Sequence, residues 1–473
     1  MSVRKPLFWS ALRHWGTRLG SVLVFIILAR ILPPEQIGLF SAALAIVAVA
    51  EIFAENGLGD AVVQTERLDD DLLAAALTFN VIAGAAIGLL IGAGAPLIES
   101  SLGTPGLAPI LGVTALTIVI NAFSYVPQSL LRRHGQFQWL AKRALVATSF
   151  GGVLGIVLAF LDFGAWAMVA QLICFATVNA ILIWYLRPMP LRFASPAKAR
   201  TLIAFGAKVF AGRLLYYVTT RSVELFIVWF YGPVALALYI MGSRIAAVLM
   251  QLISAVILDV ALPTFSRLAK ERSRVVDSFL SSVETTAAVA SPLFILLAGV
   301  APEVTRIAFG ANGEGSGALL APVALAASLQ MLQQLSGSLL MATGKPQVAL
   351  YDLMFRASAI AAAFYMFRSE SVATFILWLC GVQGLLVVTS LLIGSYAVGY
   401  PLSQVARRTL PYLLAGAAAF ALMTWLGHTL GTDVNVFVRL LTLGAAGVSI
   451  YVATVTITNY RGALRVYQAI RRS

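Results

Sequence analysis

Apolar stretches of about 18–26 residues, broken by short polar connections, run along almost the whole chain. A helix rises about 1.5 Å per residue, so about 20 such residues cross the hydrocarbon core of a bilayer. This pattern predicts fourteen spans, at 16–33, 37–57, 74–98, 108–130, 144–161, 164–186, 209–231, 236–258, 281–300, 318–340, 350–367, 372–397, 411–428 and 436–456. The longest polar connections, Arg187–Lys208 and Pro263–Phe279, are too short to hold a soluble catalytic domain. The fold class expected is therefore an all-α polytopic membrane protein.

Pro34-Glu-Gln-Ile-Gly-Leu-Phe40 and Pro233-Val-Ala-Leu-Ala-Leu-Tyr239 stand 199 residues apart, each joining two spans. Six spans followed by six of matching orientation make a parallel repeat, which predicts two lobes around a central cavity. The expected division is a six-helix lobe over 1–190, a second over 191–400, and two additional helices with a tail over 401–473.

Composition agrees with this reading. Of the 473 residues, 60% are apolar and 11% charged, against about 25% charged in an average soluble domain. The net charge of +13 needs no nucleic acid. With the N-terminus inside and the spans alternating, 26 of the 33 Lys and Arg fall on the inner side and four on the outer. That bias is a topology signal and places both termini in the cytoplasm. The basic start followed by Arg30-Ile-Leu-Pro-Pro-Glu35 reads as an uncleaved first span. Cys174 and Cys380 read as small buried apolar residues, because the chain has neither a Cys-x-x-Cys nor more than three histidines.

Enzyme motifs fail. Ala342-Thr-Gly-Lys-Pro346 lacks the first glycine and the Ser/Thr of a phosphate loop, and His-Glu-x-x-His and Gly-x-Ser-x-Gly are absent. Gly310–Gly317 reads as a flexible outer loop. Gly84, Gly88 and Gly92, and Gly151 and Gly155, recur every four residues, a spacing that lets helices pack closely or slide.

Ionisable groups within spans carry the candidate chemistry, since each costs about 2.5–3.5 kcal/mol at a helix centre. Arg213, Tyr217 and Glu224 share a stripe of the seventh span, with Arg221 at its edge and three residues from Glu224. Either this is a basic stripe facing a substrate, or an internal ion pair beside a snorkelling arginine. Arg244 and Asp259 lie toward opposite ends of the eighth span. Glu51 and Glu55 lie one turn apart near the inner end of the second, as a solvated edge or a proton or sodium site. Gln330, Gln333 and Gln334 line a cavity or bond neighbouring helices.

Ala29-Arg30-Ile-Leu-Pro-Pro-Glu-Gln-Ile-Gly-Leu-Phe40, Phe53-Ala-Glu-Asn-Gly-Leu-Gly-Asp-Ala-Val-Val-Gln64, Leu130-Leu-Arg-Arg-His-Gly-Gln-Phe137 and Phe163-Gly-Ala-Trp-Ala-Met-Val169 resemble signatures of the Wzx-like polysaccharide transporters. Pro263–Leu268 and Ala342–Lys345 are similar to that family's second-half loops. The resemblance implies the fold of the multidrug/oligosaccharidyl-lipid/polysaccharide exporter superfamily, working by alternating access in the bacterial inner membrane. It implies a non-enzymatic flippase for an undecaprenyl-pyrophosphate-linked oligosaccharide, serving exopolysaccharide, capsule or O-antigen synthesis. The expected partners are that lipid-linked substrate, membrane lipids, and the polymerase and glycosyltransferases of the same polymer; nucleic acid is not one. No cofactor is expected beyond a proton or sodium gradient. Arg213, Tyr217, Arg221 and Arg244 become head-group candidates, and Glu51, Glu55, Glu224 and Asp259 ion-coupling candidates. The alternative is a cation-coupled multidrug antiporter of the same superfamily, disfavoured because arginines outnumber acids in the second lobe's spans.

Overall fold

The computed structural model describes residues 19–66, 68–189, 192, 194–195, 199–431 and 434–472. Every regular element among them is helical. In the first part of the chain these are α1 (Leu19–Ile31), α2 (Pro34–Glu55), α3 (Leu58–Gln64), α4 (Asp70–Leu102), α5 (Leu107–Thr114), α6 (Leu116–Arg133), α7 (Phe137–Phe160) and α8 (Ala165–Leu186). The second part holds α9 (Arg200–Leu268), α10 (Arg272–Gly299), α11 (Ala301–Phe309), α12 (Ser316–Ala342), α13 (Pro346–Phe367), α14 (Val372–Val398), α15 (Leu402–Thr429) and α16 (Val436–Arg472). A backbone in lipid must satisfy its own polar groups, and a helix does so within one segment.

Twelve segments are long and apolar enough to cross a bilayer, and α1 is a shorter apolar helix. One of the twelve lies in α9, which Gly232 (φ 81°, ψ 179°) divides into two rods. Counting both rods and α1, the described residues carry an apolar helix at each of the fourteen expected places. Large apolar side chains such as Leu89, Phe150 and Leu385 point outward along these helices, as they must in lipid.

Three local features depart from the sequence reading. The fourth span is two helices, α5 and α6, meeting at Ala115. The short helix α3 follows a left-handed pair, Asn56 and Gly57. Gly310–Gly317 is ordered rather than loose: a 3-10 turn covers Gly310–Gly313, and α12 begins at Ser316, whose hydroxyl donates to Gly313 O at 2.6 Å.

Packing divides the chain into two compact units, Met1–Ala237 and Leu238–Ser473. In unit 1, Gly84 and Gly88 bring α4 against Ala122, Ile118 and Ala115 of the α5–α6 segment. Gly151 and Gly155 bring α7 against the backbone of α8 at Gln171 and Ala167. Those four glycines serve close packing; Gly92 meets nothing within 4 Å. Two further close approaches join α2 and the residues that follow it to α9: Gly38 lies against Pro233, and Gly57 against Gly206. The first of these brings the two repeated linker segments into contact.

In unit 2, α10 runs through an apolar core that includes Phe265, Phe279, Val283, Leu335 and Tyr400. Both C-terminal helices, α15 and α16, pack on it. Tyr400, in the connection after α14, donates its hydroxyl to Leu391 O at 2.7 Å, and burial pushes the phenol up to about 12. Three carboxylates buried in this unit each meet an arginine: Glu284 with Arg408 at 3.7 Å, Asp352 with Arg356 at 3.2 Å, and Glu303 with Arg439 at 2.6 Å.

Candidate functional site

The polar side chains of unit 1 converge along one face of α6. Asn121, Tyr125, Gln128 and Arg132 are spaced four, three and four residues apart, so they form a stripe about 60° wide. On α2, Glu51 and Glu55 face it. Asn121 Nδ2 donates to Glu51 Oε1 at 2.7 Å.

Gly59, in α3, lets the lower part of this stripe close up. A Cβ there would fall 2.9 Å from Ser129 Oγ, 3.1 Å from Arg132 Nη2 and 3.5 Å from Glu55 Oε1. Arg132 donates to Ser129 Oγ at 3.2 Å and stands 3.8 Å from Asp60 Oδ1.

The three arginines of this region have different surroundings. Arg133 caps the C-terminal end of α3, donating to Val62 O at 3.0 Å, Glu66 O at 3.0 Å and Thr65 O. Exposed helix-end carbonyls accept such donors readily, so Arg133 is accounted for by structure. Arg132 is shared between Ser129 and Asp60. Arg143, on α7, is 7% exposed and among the described residues reaches only Gln128 Oε1, at 3.5 Å.

The sequence candidates fall in separate places. Glu51 and Glu55 belong to the α2–α6 seam. Arg221 and Glu224 form an ion pair at 2.6 Å, with side chains 36% and 16% exposed. Tyr217 is 39% exposed on the same helix. The side chains of Arg213 and Asp259 lie outside the described residues. Arg244 is half-buried in unit 2.

If the Arg221–Glu224 pair is only an internal neutralisation, Arg221→Ala should destabilise the protein and Arg221→Ala with Glu224→Gln should restore both folding and function. Recovery of folding without function, measured by melting temperature and by complementation of the deleted gene, assigns a functional role to one of the two side chains.

Sequence reasoning missed Asn121, Tyr125, Gln128, Arg132 and Arg143. Arg132 and Arg143 were counted as inner-loop charges, yet Arg143 lies about 9 Å along α7 from its start. The four-three-four spacing of polar residues in α6 was the available signal.

Unit 2 holds a second polar network, linking three helices. Gln330 Nε2 donates to Gln383 Oε1 at 2.8 Å. The Gln333 amide bonds Ser390 Oγ at 2.7 Å, and that hydroxyl donates to Asp352 Oδ1 at 2.7 Å. These contacts join α12, α13 and α14, each worth about 0.6 kcal/mol on average. Gln330 and Gln333 thus bond neighbouring helices. Among the described residues no group of three or more His, Cys, Asp or Glu could hold a metal ion.

The profile described as polysaccharide biosynthesis protein matches residues 27–314, more than half of the chain. By sequence, the chain is similar to the succinoglycan biosynthesis transport protein ExoT of Rhizobium meliloti (strain 1021), at 25% identity over 82% of this chain and 79% of that one. It is 24% identical to the teichuronic acid biosynthesis protein TuaB of Bacillus subtilis (strain 168), over 74% and 73%. The lipopolysaccharide biosynthesis protein WzxC of Escherichia coli (strain K12) is 23% identical over 70% and 68%. Among solved structures, the lipid II flippase MurJ in an inward closed conformation superposes with a TM-score of 0.77 at 15% identity, over 97% of this chain and 100% of that one. An inward-facing multidrug resistance MATE family transporter of the MOP superfamily gives 0.62 at 15% identity, over 82% and 98%. At these identities the structural likeness is one of fold.

Proposed function

The chain belongs to the polysaccharide biosynthesis protein family, and on that premise we propose that it flips an undecaprenyl-pyrophosphate-linked oligosaccharide repeat unit from the cytoplasmic to the periplasmic leaflet. The observation that carries this reading is the set of sequence relatives. They are named for succinoglycan, teichuronic acid and lipopolysaccharide synthesis, and each aligns over 70% or more of this chain. The names cover three polymers, and one of the three is called a transport protein. A polytopic helical protein whose spans are joined by short polar connections suits a transport step.

In this reading the protein resides in the bacterial inner membrane with both termini in the cytoplasm. Two lobes rock about a central cavity in alternating access. Arg213, Tyr217, Arg221 and Arg244 are proposed to meet the head group. Glu51 and Glu55 are proposed to couple transport to a proton or sodium gradient, with Glu224 and Asp259 as further coupling candidates. The polymerase and glycosyltransferases of the same polymer are its proposed partners.

Deleting the gene should abolish one surface or exported polysaccharide while lipid-linked repeat units accumulate in the cytoplasmic leaflet. Extraction and mass analysis of the carrier lipids would read this out. Unchanged polysaccharide together with new sensitivity to cationic dyes would favour a multidrug antiporter instead.

A further inference from the structure

A buried arginine normally meets a carboxylate, because removing its charge from water is costly unless an anion compensates. In unit 2 the half-buried Arg356 and Arg439 each meet a buried carboxylate, Asp352 and Glu303. Arg143 in unit 1 does not. It is more than nine-tenths buried; among the described residues its Nη1 meets only the Gln128 amide oxygen, at 3.5 Å, and its Nε has no hydrogen-bond partner. At 3.5 Å the amide contact is at the outer limit of a hydrogen bond. One turn on from Gln128, α6 carries a second arginine, Arg132, whose own Nε also lacks a partner. Arg132 is paired with Asp60 at 3.8 Å. Among the described residues Arg143 therefore has no ion pair, while the carboxylates of Asp60 and Glu55 stand on the Arg132 side of the site.

We propose that Arg143, Arg132 and Gln128 form a binding site for the phosphate of a lipid head group at the end of unit 1 where α6 meets α7. In the topology proposed above this is the inner end, where a carrier lipid made in the cytoplasm would be met; the assignment of that lipid rests on the flippase reading, and the phosphate chemistry does not. A phosphate offers several charged oxygens and can accept from two guanidinium forks at once, whereas one carboxylate is filled by a single fork. Arginine keeps its charge when buried, so the site stays cationic through its exchange of ligand. The Gln128 amide can turn its nitrogen toward a bound oxygen. The absence of a side chain at Gly59 keeps Arg132 Nη2 and Ser129 Oγ close to the α3 backbone.

The test uses the full chain purified in detergent, with inorganic pyrophosphate as the first probe and calorimetry as the readout. The wild type should bind it, and Arg143→Gln should weaken binding by roughly 10- to 100-fold, the range lost with one charge-assisted hydrogen bond. Arg143→Lys should keep part of the affinity, since charge remains and the fork is lost. Native mass spectrometry with undecaprenyl pyrophosphate and with phosphatidylglycerol then separates the sources. Weakened binding of the first alone assigns the carrier lipid; parallel weakening of both assigns a general phospholipid head group; either supports a phosphate site. Absence of pyrophosphate binding by the wild type, or equal binding by wild type and Arg143→Gln, overturns the proposal. If Arg143→Gln does not fold, Arg132→Gln and the wild-type measurement decide in the same way. Loss of polymer on gene deletion with undiminished binding by Arg143→Gln would retain the flippase reading and discard this site. Weakened binding with polymer unaffected by deletion would do the reverse.

Discussion

Arg439→Ala is expected to lower stability by about 3–5 kcal/mol, the range found when one partner of a buried ion pair is removed. Glu303 is 4% exposed at the start of α11, and the Arg439 guanidinium lies 2.6 Å from its Oε1. Arg439 also donates to Gly427 O at 3.0 Å and to Gly431 O, so it binds α16 to the end of α15 as well as to α11. Alanine would strand a buried carboxylate and release two carbonyls together. Glu303→Gln with Arg439→Gln should recover most of the loss, because no charge is then left without its partner. Thermal unfolding of the purified variants measures both. A single Arg439→Ala variant melting with the wild type would show that the pair contributes nothing.

Gly38→Ala should be at least as damaging, although it adds one carbon. A Cβ at this position would overlap the carbonyl oxygen and carbon of Pro233. Both contacts are with backbone, so no side chain can rotate away. Overpacking of cores costs typically 1–3 kcal/mol where neighbours can shift, and here they are parts of two helical segments. The expected result is loss of monodisperse protein and of transport. Gly92→Ala is the matching control: nothing lies within 4 Å, and alanine favours a helix over glycine by about 1 kcal/mol. Equal yield and melting temperature for Gly38→Ala and wild type would contradict the close approach.

The contrast between Gly38 and Gly92 shows where sequence patterns stop. Gly84, Gly88 and Gly92 make one regular series, and only the first two have a neighbouring helix to approach. Gly38 belongs to no such series, but the repeated linker that contains it is visible in the sequence, and in the structure it rests on its counterpart at Pro233. Spacing names the residues able to pack; the partner helix determines which of them do.

Charges divide in the same way. Arg221 and Glu224 sit three residues apart, and their pairing follows from helix geometry alone. Asp352 and Arg356 are four apart in α13, an equally local signal that the sequence reading passed over. The contact of Glu51 with Asn121 spans 70 residues and that of Arg143 with Gln128 joins two helices. Nothing in local spacing selects those partners.

What the sequence determined by itself was the membrane class, the number and order of the apolar helices, and the family to which the signatures point. The bilayer imposes these on each segment separately, through a fixed thickness, the cost of an unpaired backbone and the cost of a buried charge. The tertiary structure alone decided which arginine of Arg132, Arg133 and Arg143 is spent on helix capping, which is shared with a carboxylate, and which is buried without one. All three follow the same inner-end charge pattern in the sequence. Their roles differ because burial and counter-charge are properties of the neighbours that α2, α3, α6 and α7 bring to each guanidinium.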